Sequence, residues 1–194
     1  DTDMKSDRDD LTRRDFLSTS ATLGAGAVLT GALGPLGVAE GARKIPTVKL
    51  GKTGEKVTIL GFGGAVTVTP QLLNASLAEG VTYLDTAQSY GKGNSEKNVG
   101  KILAANGRRK DCFIVTKCGN HKTGPFTESL ETSFERLQTD YVDLYYLHNL
   151  GDPERLDNEL KATAEKLKKE KKIRYFGFSS HHAGMVPTLN RAAE

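Results

Sequence analysis

Beyond Pro46 the chain follows a repeating order. A short apolar run is followed by a polar break, and then by a stretch with apolar residues every three or four positions. Val48-Lys49-Leu50 and Val57-Thr58-Ile59-Leu60 flank Gly51-Lys52-Thr53-Gly54, which predicts a hairpin. Residues 59–62 then lead into a buried strand ending at Gly63-Gly64. A helix is expected over residues 70–79, with Pro70 in its first turn and Gly80 as its stop. Residues 81–84 form a second strand. Asn94 or Ser95 caps the next helix, whose apolar face is Val99, Ile102 and Leu103. A third strand starts at Cys112. Thr127 then caps a helix carrying Leu130, Phe134 and Leu137. Residues 141–147 are a fourth strand, and Asp152-Pro153 opens a helix with Leu156, Leu160, Ala164 and Leu167 along one side. Residues 173–178 are a fifth strand, and the chain stops inside the helix that follows.

Short strands alternating with helices imply βαβ units and a parallel sheet. Two architectures compete, the doubly wound sheet and the (β/α)8 barrel. A doubly wound sheet gathers its ligand groups at one switch point. Here a polar group stands at the carboxyl end of nearly every strand: Asp85, Lys117, His148 and Ser179-Ser180. That distribution favours the TIM-type barrel, with about five of its eight βα units present in residues 46–194.

Length and composition narrow the classes. The 194 residues suffice for one well-buried domain, and 37% hydrophobic with 26% charged residues is ordinary for a globular protein. The net charge of +3 is not gathered into a nucleic-acid-binding surface. The densest basic run, residues 166–172, sits on a predicted helix and reads as a solvated face. Cys112 and Cys118 fall on one extended segment. Its length, about 20 Å, exceeds what a disulfide tolerates, so both are expected to be free thiols.

Residues 1–39 read as an address. Arg13-Arg14 precedes Phe16-Leu17, an uncharged stretch rich in Ala, Gly, Thr and Leu runs from there, and small residues follow at Gly37-Val38-Ala39. This layout resembles a twin-arginine (Tat) signal peptide. It implies export to the periplasm or beyond through the Tat machinery. Glycines at 24, 26, 31 and 34 argue against a stable membrane-anchoring helix.

Three motifs fail. Gly91-Lys92-Gly93 begins like a dinucleotide fingerprint, but Glu96 stands where its third glycine belongs. Gly51-Lys52-Thr53 lacks the earlier glycine of a P-loop. His181-His182 has no further ligand at metal spacing, so no metal is expected.

Asp85, Tyr90, Lys117 and His148 remain. A phenol is a weak acid near neutral pH, and a nearby ammonium favours its phenolate. A carboxylate facing the lysine keeps that charge in place, and a histidine beside the tyrosine can donate to a carbonyl oxygen. Such a set suits protonation of an oxygen as hydride reaches its carbon. Each residue also has a purely structural reading, as a buried ion pair, a packing tyrosine or a satisfied core histidine. Composition and spacing leave the two readings near even.

Longer segments add a resemblance. Leu50-Gly51-Lys52-Thr53-Gly54, Leu60-Gly61-Phe62-Gly63-Gly64, Leu84-Asp85-Thr86-Ala87-Gln88-Ser89-Tyr90-Gly91, Asn94-Ser95-Glu96, Val115-Thr116-Lys117 and Asp140-Tyr141-Val142-Asp143-Leu144-Tyr145-Tyr146-Leu147-His148 resemble the aldo-keto reductases over residues 46–194. The resemblance implies a catalytic tetrad of Tyr90, Asp85, Lys117 and His148. Tyr90 would be the general acid, with Lys117 and Asp85 as its tuning pair and His148 as the group that orients the carbonyl. It implies NADPH as hydride donor to an aldehyde or ketone. Asp85 would stand near the cofactor, and Ser179 and Ser180 would hold the nicotinamide carboxamide. Ser180 departs from the family's usual asparagine and offers a hydroxyl in place of an amide. The family barrel has eight strands and about five are read here, so the chain is expected to be a truncated part of it. The alternative is a short, catalytically silent relative serving as a binding or assembly module. A redox-sensing subunit is a weaker third possibility, disfavoured by the leader.

Overall fold

A computed structural model describes residues 45–183 and 185–194, and the proposed signal peptide lies outside them. β1 (Thr47–Lys49) and β2 (Lys56–Thr58) form the expected antiparallel hairpin, with Val48 opposite Val57. Its turn closes where Leu50 donates to the Glu55 carbonyl at 2.8 Å. β3 (Gly61–Gly63) follows, but it does not begin at residue 59. Ile59 and Leu60 are exposed in a bend. Thr58 makes that bend: its hydroxyl donates to the Leu60 carbonyl at 2.8 Å and accepts from the Thr82 and Tyr83 amides at 3.3 Å each. A side chain bonding to local backbone in this way outcompetes a continued strand.

β4 (Tyr83–Asp85), β5 (Phe113–Cys118), β6 (Val142–Leu147) and β7 (Ile173–Phe178) complete a five-stranded sheet. Its order is β3-β4-β5-β6-β7, and each strand lies parallel to the one before it. A doubly wound sheet reverses its strand order at the switch point, whereas a barrel adds every strand on the same side. The monotonic order is therefore the barrel's winding. Helices α1 (Pro70–Ala78), α2 (Asn94–Ala105), α3 (Thr123–Leu137) and α4 (Asn158–Lys169) join successive strands, and α5 (Val186–Ala193) follows β7.

The period-2 alternation of each strand divides the core in two. One face meets the helices, where Leu84, Ile114, Tyr145 and Leu147 join Leu73, Leu103, Leu130 and Leu160 in the larger cluster. The other face forms a smaller cluster of Val57, Phe113, Val115 and Leu144, lined by Tyr83, Tyr146 and Tyr175. This second cluster is the barrel interior. Gly177 belongs to it by necessity, because a Cβ there would come within 2.8 Å of the Tyr146 ring.

The helices start where packing puts them, and three sequence-based caps fail for that reason. α2 starts after Gly93, at φ +90°, a left-handed conformation open to glycine. Neither Asn94 nor Ser95 caps it; the Ser95 hydroxyl instead lies 2.7 Å from Thr86 Oγ1. α3 begins at Thr123, so Thr127 lies inside it and bonds back to the Thr123 carbonyl at 3.3 Å. Its first turn is drawn in by Phe126, fully buried, whose carbonyl accepts from the Tyr145 hydroxyl at 3.1 Å. Asp152 caps only a short 3-10 turn, Pro153–Arg155. The α-helix waits for Asp157, whose carboxylate accepts from the Leu160 amide at 2.8 Å.

Cys112 precedes β5 rather than joining it, and both cysteines are buried free thiols. Burial pushes the Cys112 thiol up to about 11, so it stays protonated. The basic run is solvated, with Lys168 paired to Glu165 and Lys172 to Glu131. Among the described residues no helix is long and apolar enough to cross a membrane.

Candidate active site

Side chains two apart on a strand share a face, so each interior row points to one residue at the carboxyl end of the sheet. Tyr83 leads to Asp85, Phe113 and Val115 to Lys117, Leu144 and Tyr146 to His148, and Tyr175 and Gly177 to Ser179. The apolar rows form a floor and the polar residues crown it. Burial, with smaller contributions from Tyr146 and Asp85, pushes the Tyr83 hydroxyl up to about 12, and burial likewise raises Tyr146. The floor phenols stay neutral.

Lys117 is the centre of the crown. Its ammonium is buried, and each of its three donors has a partner. Nζ donates to Asp85 Oδ1 at 2.5 Å, to the Thr86 carbonyl at 2.8 Å and to the Tyr90 hydroxyl oxygen at 3.4 Å. The half-buried Asp85 compensates a charge that would otherwise be costly in the interior. The ammonium also lies 4.7 Å from the centre of the Tyr90 ring, so its field falls on the whole phenol.

The loop carrying Tyr90 is tied down at several points. The Thr86 amide donates to the Val115 carbonyl at 2.8 Å, and the Gln88 amide to that of Lys117 at 3.2 Å. The Gln88 carboxamide reaches the Ser129 carbonyl and, at 3.2 Å, the Ser133 hydroxyl on α3. The Gly64 amide donates to the Asp85 carbonyl at 2.7 Å. A Cβ at Gly64 would stand 2.5 Å from Ser95 Oγ and 2.8 Å from the Asp85 carbonyl oxygen, so only glycine allows this approach.

His148 meets Tyr90 edge to face, with ring centres 5.5 Å apart. Its Nδ1 lies 3.4 Å from Ser89 Oγ. Its backbone amide donates to the Cys118 carbonyl at 2.8 Å, and its own carbonyl lies 3.0 Å from His121 Nε2. Burial, and then the Lys117 ammonium, hold the imidazole below the ordinary histidine range, against a smaller opposing pull from Asp85. The neutral ring is favoured at neutral pH.

Ser179 lies beside His148 on the neighbouring loop. Its amide donates to the Leu147 carbonyl at 2.9 Å, and its carbonyl accepts from Leu150 at 2.7 Å. Its hydroxyl accepts from the Asn149 amide at 3.2 Å, and the Ser180 hydroxyl accepts from that of His182 at 3.1 Å. All six sequence-predicted site residues therefore stand at one end of the sheet, although only Asp85, Tyr90, Lys117 and His148 form the contact group. His181 is fixed through its amide to Asn149 Oδ1 at 3.1 Å, and the His182 ring lies over Gly151.

Sequence reasoning missed Thr86, Ser89, His121 and Asn149. Thr86 acts through its carbonyl, which no residue type reveals. Asn149 had a visible signal: an asparagine directly after His148, in the left-handed conformation (φ +58°) that asparagine tolerates better than most residues.

A sequence-family model described as the aldo/keto reductase family matches residues 68–194. The chain belongs to that family. It is 36% identical over 155 residues to the L-galactose dehydrogenase of Arabidopsis thaliana, covering 70% of this chain and 49% of that one. Among solved structures, an aldo-keto reductase from Bacillus halodurans in its holo form superposes with a TM-score of 0.65 at 35% identity, covering 71% of this chain and 51% of that one. One from Klebsiella pneumoniae in complex with NADPH gives a TM-score of 0.60 at 33% identity, again covering 71% and 51%. The chain thus spans about half the length of the relatives it matches. Its five parallel strands and their helices are the corresponding part of the (β/α)8 fold.

Proposed function

We propose that the chain carries the catalytic groups of an NADPH-dependent reductase that converts an aldehyde or ketone to an alcohol, with Tyr90 as general acid. The observation that carries this reading is the saturated Lys117 ammonium, which spends its third donor on the Tyr90 hydroxyl. As the phenol proton leaves for a carbonyl oxygen, negative charge grows on an oxygen already facing a fixed cation. In the tautomer that has Ser89 Oγ donating to His148 Nδ1, 3.4 Å away, the ring proton sits on Nε2, free to hold the same carbonyl oxygen.

The nicotinamide fits the remaining groups. The hydroxyls of Ser179 and Ser180 each accept a backbone N–H, so each keeps its own proton to donate to a carboxamide oxygen. NADPH is the bound cofactor of one solved relative, and when bound here it would supply the hydride. Asp85 serves by holding Lys117, and the tyrosine floor excludes water from beneath the reacting oxygen. We further propose that residues 1–39 direct export through the Tat machinery to the periplasm, on the strength of Arg13-Arg14 and the mildly apolar stretch behind it.

The test follows NADPH absorbance with a panel of aldehydes, using Tyr90→Phe as control, alongside fluorescence titration of NADPH. Cofactor binding with Tyr90-dependent turnover is expected. Turnover that survives Tyr90→Phe unchanged rejects the assigned acid. Binding without turnover favours the silent binding module. For export, the leader's mass should be missing from the periplasmic protein, and loss of export on Arg13→Lys with Arg14→Lys is the expected control.

A further inference from the structure

We infer that a recess beside His148, between the loops that follow β5 and β6, is an anion subsite selecting carbonyl compounds that bear a carboxylate or phosphate. The recess holds about 480 Å³ and is lined by Gly119, Asn120, His121, Lys122 and Arg155. No carboxylate lines it, and two of its five residues carry full positive charge.

Its place in the fold is fixed by hydrogen bonds. The β5 loop starts two residues past Lys117. Cys118 Sγ lies 3.1 Å from the Asn120 carbonyl oxygen and 3.2 Å from its amide nitrogen, which folds the loop back. Asn120 Oδ1 then accepts from the Lys122 amide at 3.2 Å. His121 Nε2, 3.0 Å from the His148 carbonyl oxygen, ties the recess to the proposed carbonyl-orienting residue. A substrate whose carbonyl met Tyr90 and His148 would have this recess beside it.

The two cations are available. Among the described residues no carboxylate pairs with Lys122. Arg155 is held through Nε by Asp152 at 3.4 Å, and Asp152 is itself spent on capping the Glu154 amide at 3.0 Å. That contact uses Nε and leaves the terminal nitrogens, the fork suited to carboxylate or phosphate, with no hydrogen-bond partner among the described residues. A neutral sugar or alkyl aldehyde would leave this charge unmatched, whereas an oxo acid or phosphorylated aldehyde of suitable length would fill it. The inference rests on the reductase reading for its substrate but on the recess alone for its ligand.

Two measurements separate those dependences. The ratio of kcat/KM for 4-carboxybenzaldehyde over 4-methylbenzaldehyde is measured in the wild type, in the Lys122→Ala/Arg155→Ala double variant and in Lys122→Glu. The ratio should exceed one in the wild type. It should fall roughly 10- to 100-fold in the double variant, the range for losing charge-assisted hydrogen bonds, and further in Lys122→Glu. A wild-type ratio at or below one, or one that the variants leave unchanged, overturns the inference.

Separately, benzoate and inorganic phosphate are titrated against the backbone amides of residues 119–122 and the Arg155 Nε–H by NMR. Saturable shifts that the double variant abolishes support the subsite even if neither aldehyde turns over, in which case the reductase reading alone has failed. Shifts with benzoate only assign a carboxylate, and shifts with phosphate only assign a phosphate. No saturable shift with either probe overturns the subsite.

Discussion

At the amino end of the sheet Asp143 is buried on β6 between two guanidinium groups, whereas at the carboxyl end Lys117 is buried on β5 against one carboxylate. Asp143 Oδ2 accepts from the Ile114 amide at 2.9 Å and from Arg109 at 3.1 Å, and Oδ1 accepts from Arg174 at 2.8 Å. Arg109 is itself bound to Thr139 Oγ1 and to the carbonyls of Cys112 and Tyr141, and it stacks 3.8 Å above the Tyr141 ring. Arg174 passes on to Glu55 in the β1–β2 hairpin, and Tyr175 fastens the same carboxylate at 2.9 Å. Every partner at this end is protein. At the other end the chain of contacts stops at the Tyr90 hydroxyl, whose ring meets His148 edge to face. A buried charge thus serves cohesion where its contacts end on structural groups, and on the proposed reading serves chemistry where they end on the Tyr90 hydroxyl.

The largest effect expected from breaking this contrast is in Tyr90→Phe. It removes the proton that Lys117 supports and should lower kcat roughly 10²- to 10⁴-fold, the usual contribution of a positioned general acid. The urea unfolding midpoint should barely move, because the ring and its packing against His148 remain. Asp143→Ala should do the reverse. It leaves the Ile114 amide and the Arg109 guanidinium without their carboxylate, while Arg174 keeps Glu55, and should cost about 3 kcal/mol in urea unfolding while kcat per folded molecule stays close to wild type. If Asp143→Ala also removed turnover from the folded fraction, the division of labour between the two ends would be wrong. Gly64→Ala sits between the two. The new methyl meets the Asp85 carbonyl and Ser95, so it should cost about 1–3 kcal/mol and shift the Asp85–Lys117 pair, lowering kcat as well as stability.

These two ends also differ in how far the sequence reveals them. The strand alternation that placed Asp85, Lys117 and His148 at strand ends follows from a fixed period, and the five strands and the helices between them emerge from it. The parallel order β3 to β7 follows from the same units, since short crossovers place each strand beside the last. Tyr90 is different. It lies on a loop five residues past Asp85, where no strand period reaches; its chemistry made it a candidate at near-even odds, and the family resemblance tipped it to general acid. The helix starts at Asn94 and Thr123 escaped the reading because a left-handed glycine and the burial of Phe126 decide them, and both are tertiary facts. Asp143 was visible only as part of a longer run. Its partners are 34 residues upstream and 31 downstream, a separation that no local pattern encodes.

The smallest effect sharpens the contrast from the side of charge. Burial and the nearby Lys117 hold the His148 imidazole below its ordinary value of 6.5, while Asp85 pulls the other way. The folded protein therefore binds fewer protons at this ring than the unfolded chain does, just below that value. The corresponding stability is intact above pH 6.5 and is lost as pH falls through the folded midpoint. Following the His148 ring proton by NMR should give a midpoint below 6.5 in the wild type. In Asp85→Asn the one opposing charge is gone and the midpoint should fall further. In Lys117→Met the repelling ammonium is gone and it should rise. A midpoint that stayed put in both variants would mean that burial alone sets the ring. Lys117 would then act on Tyr90 without governing the histidine beside it.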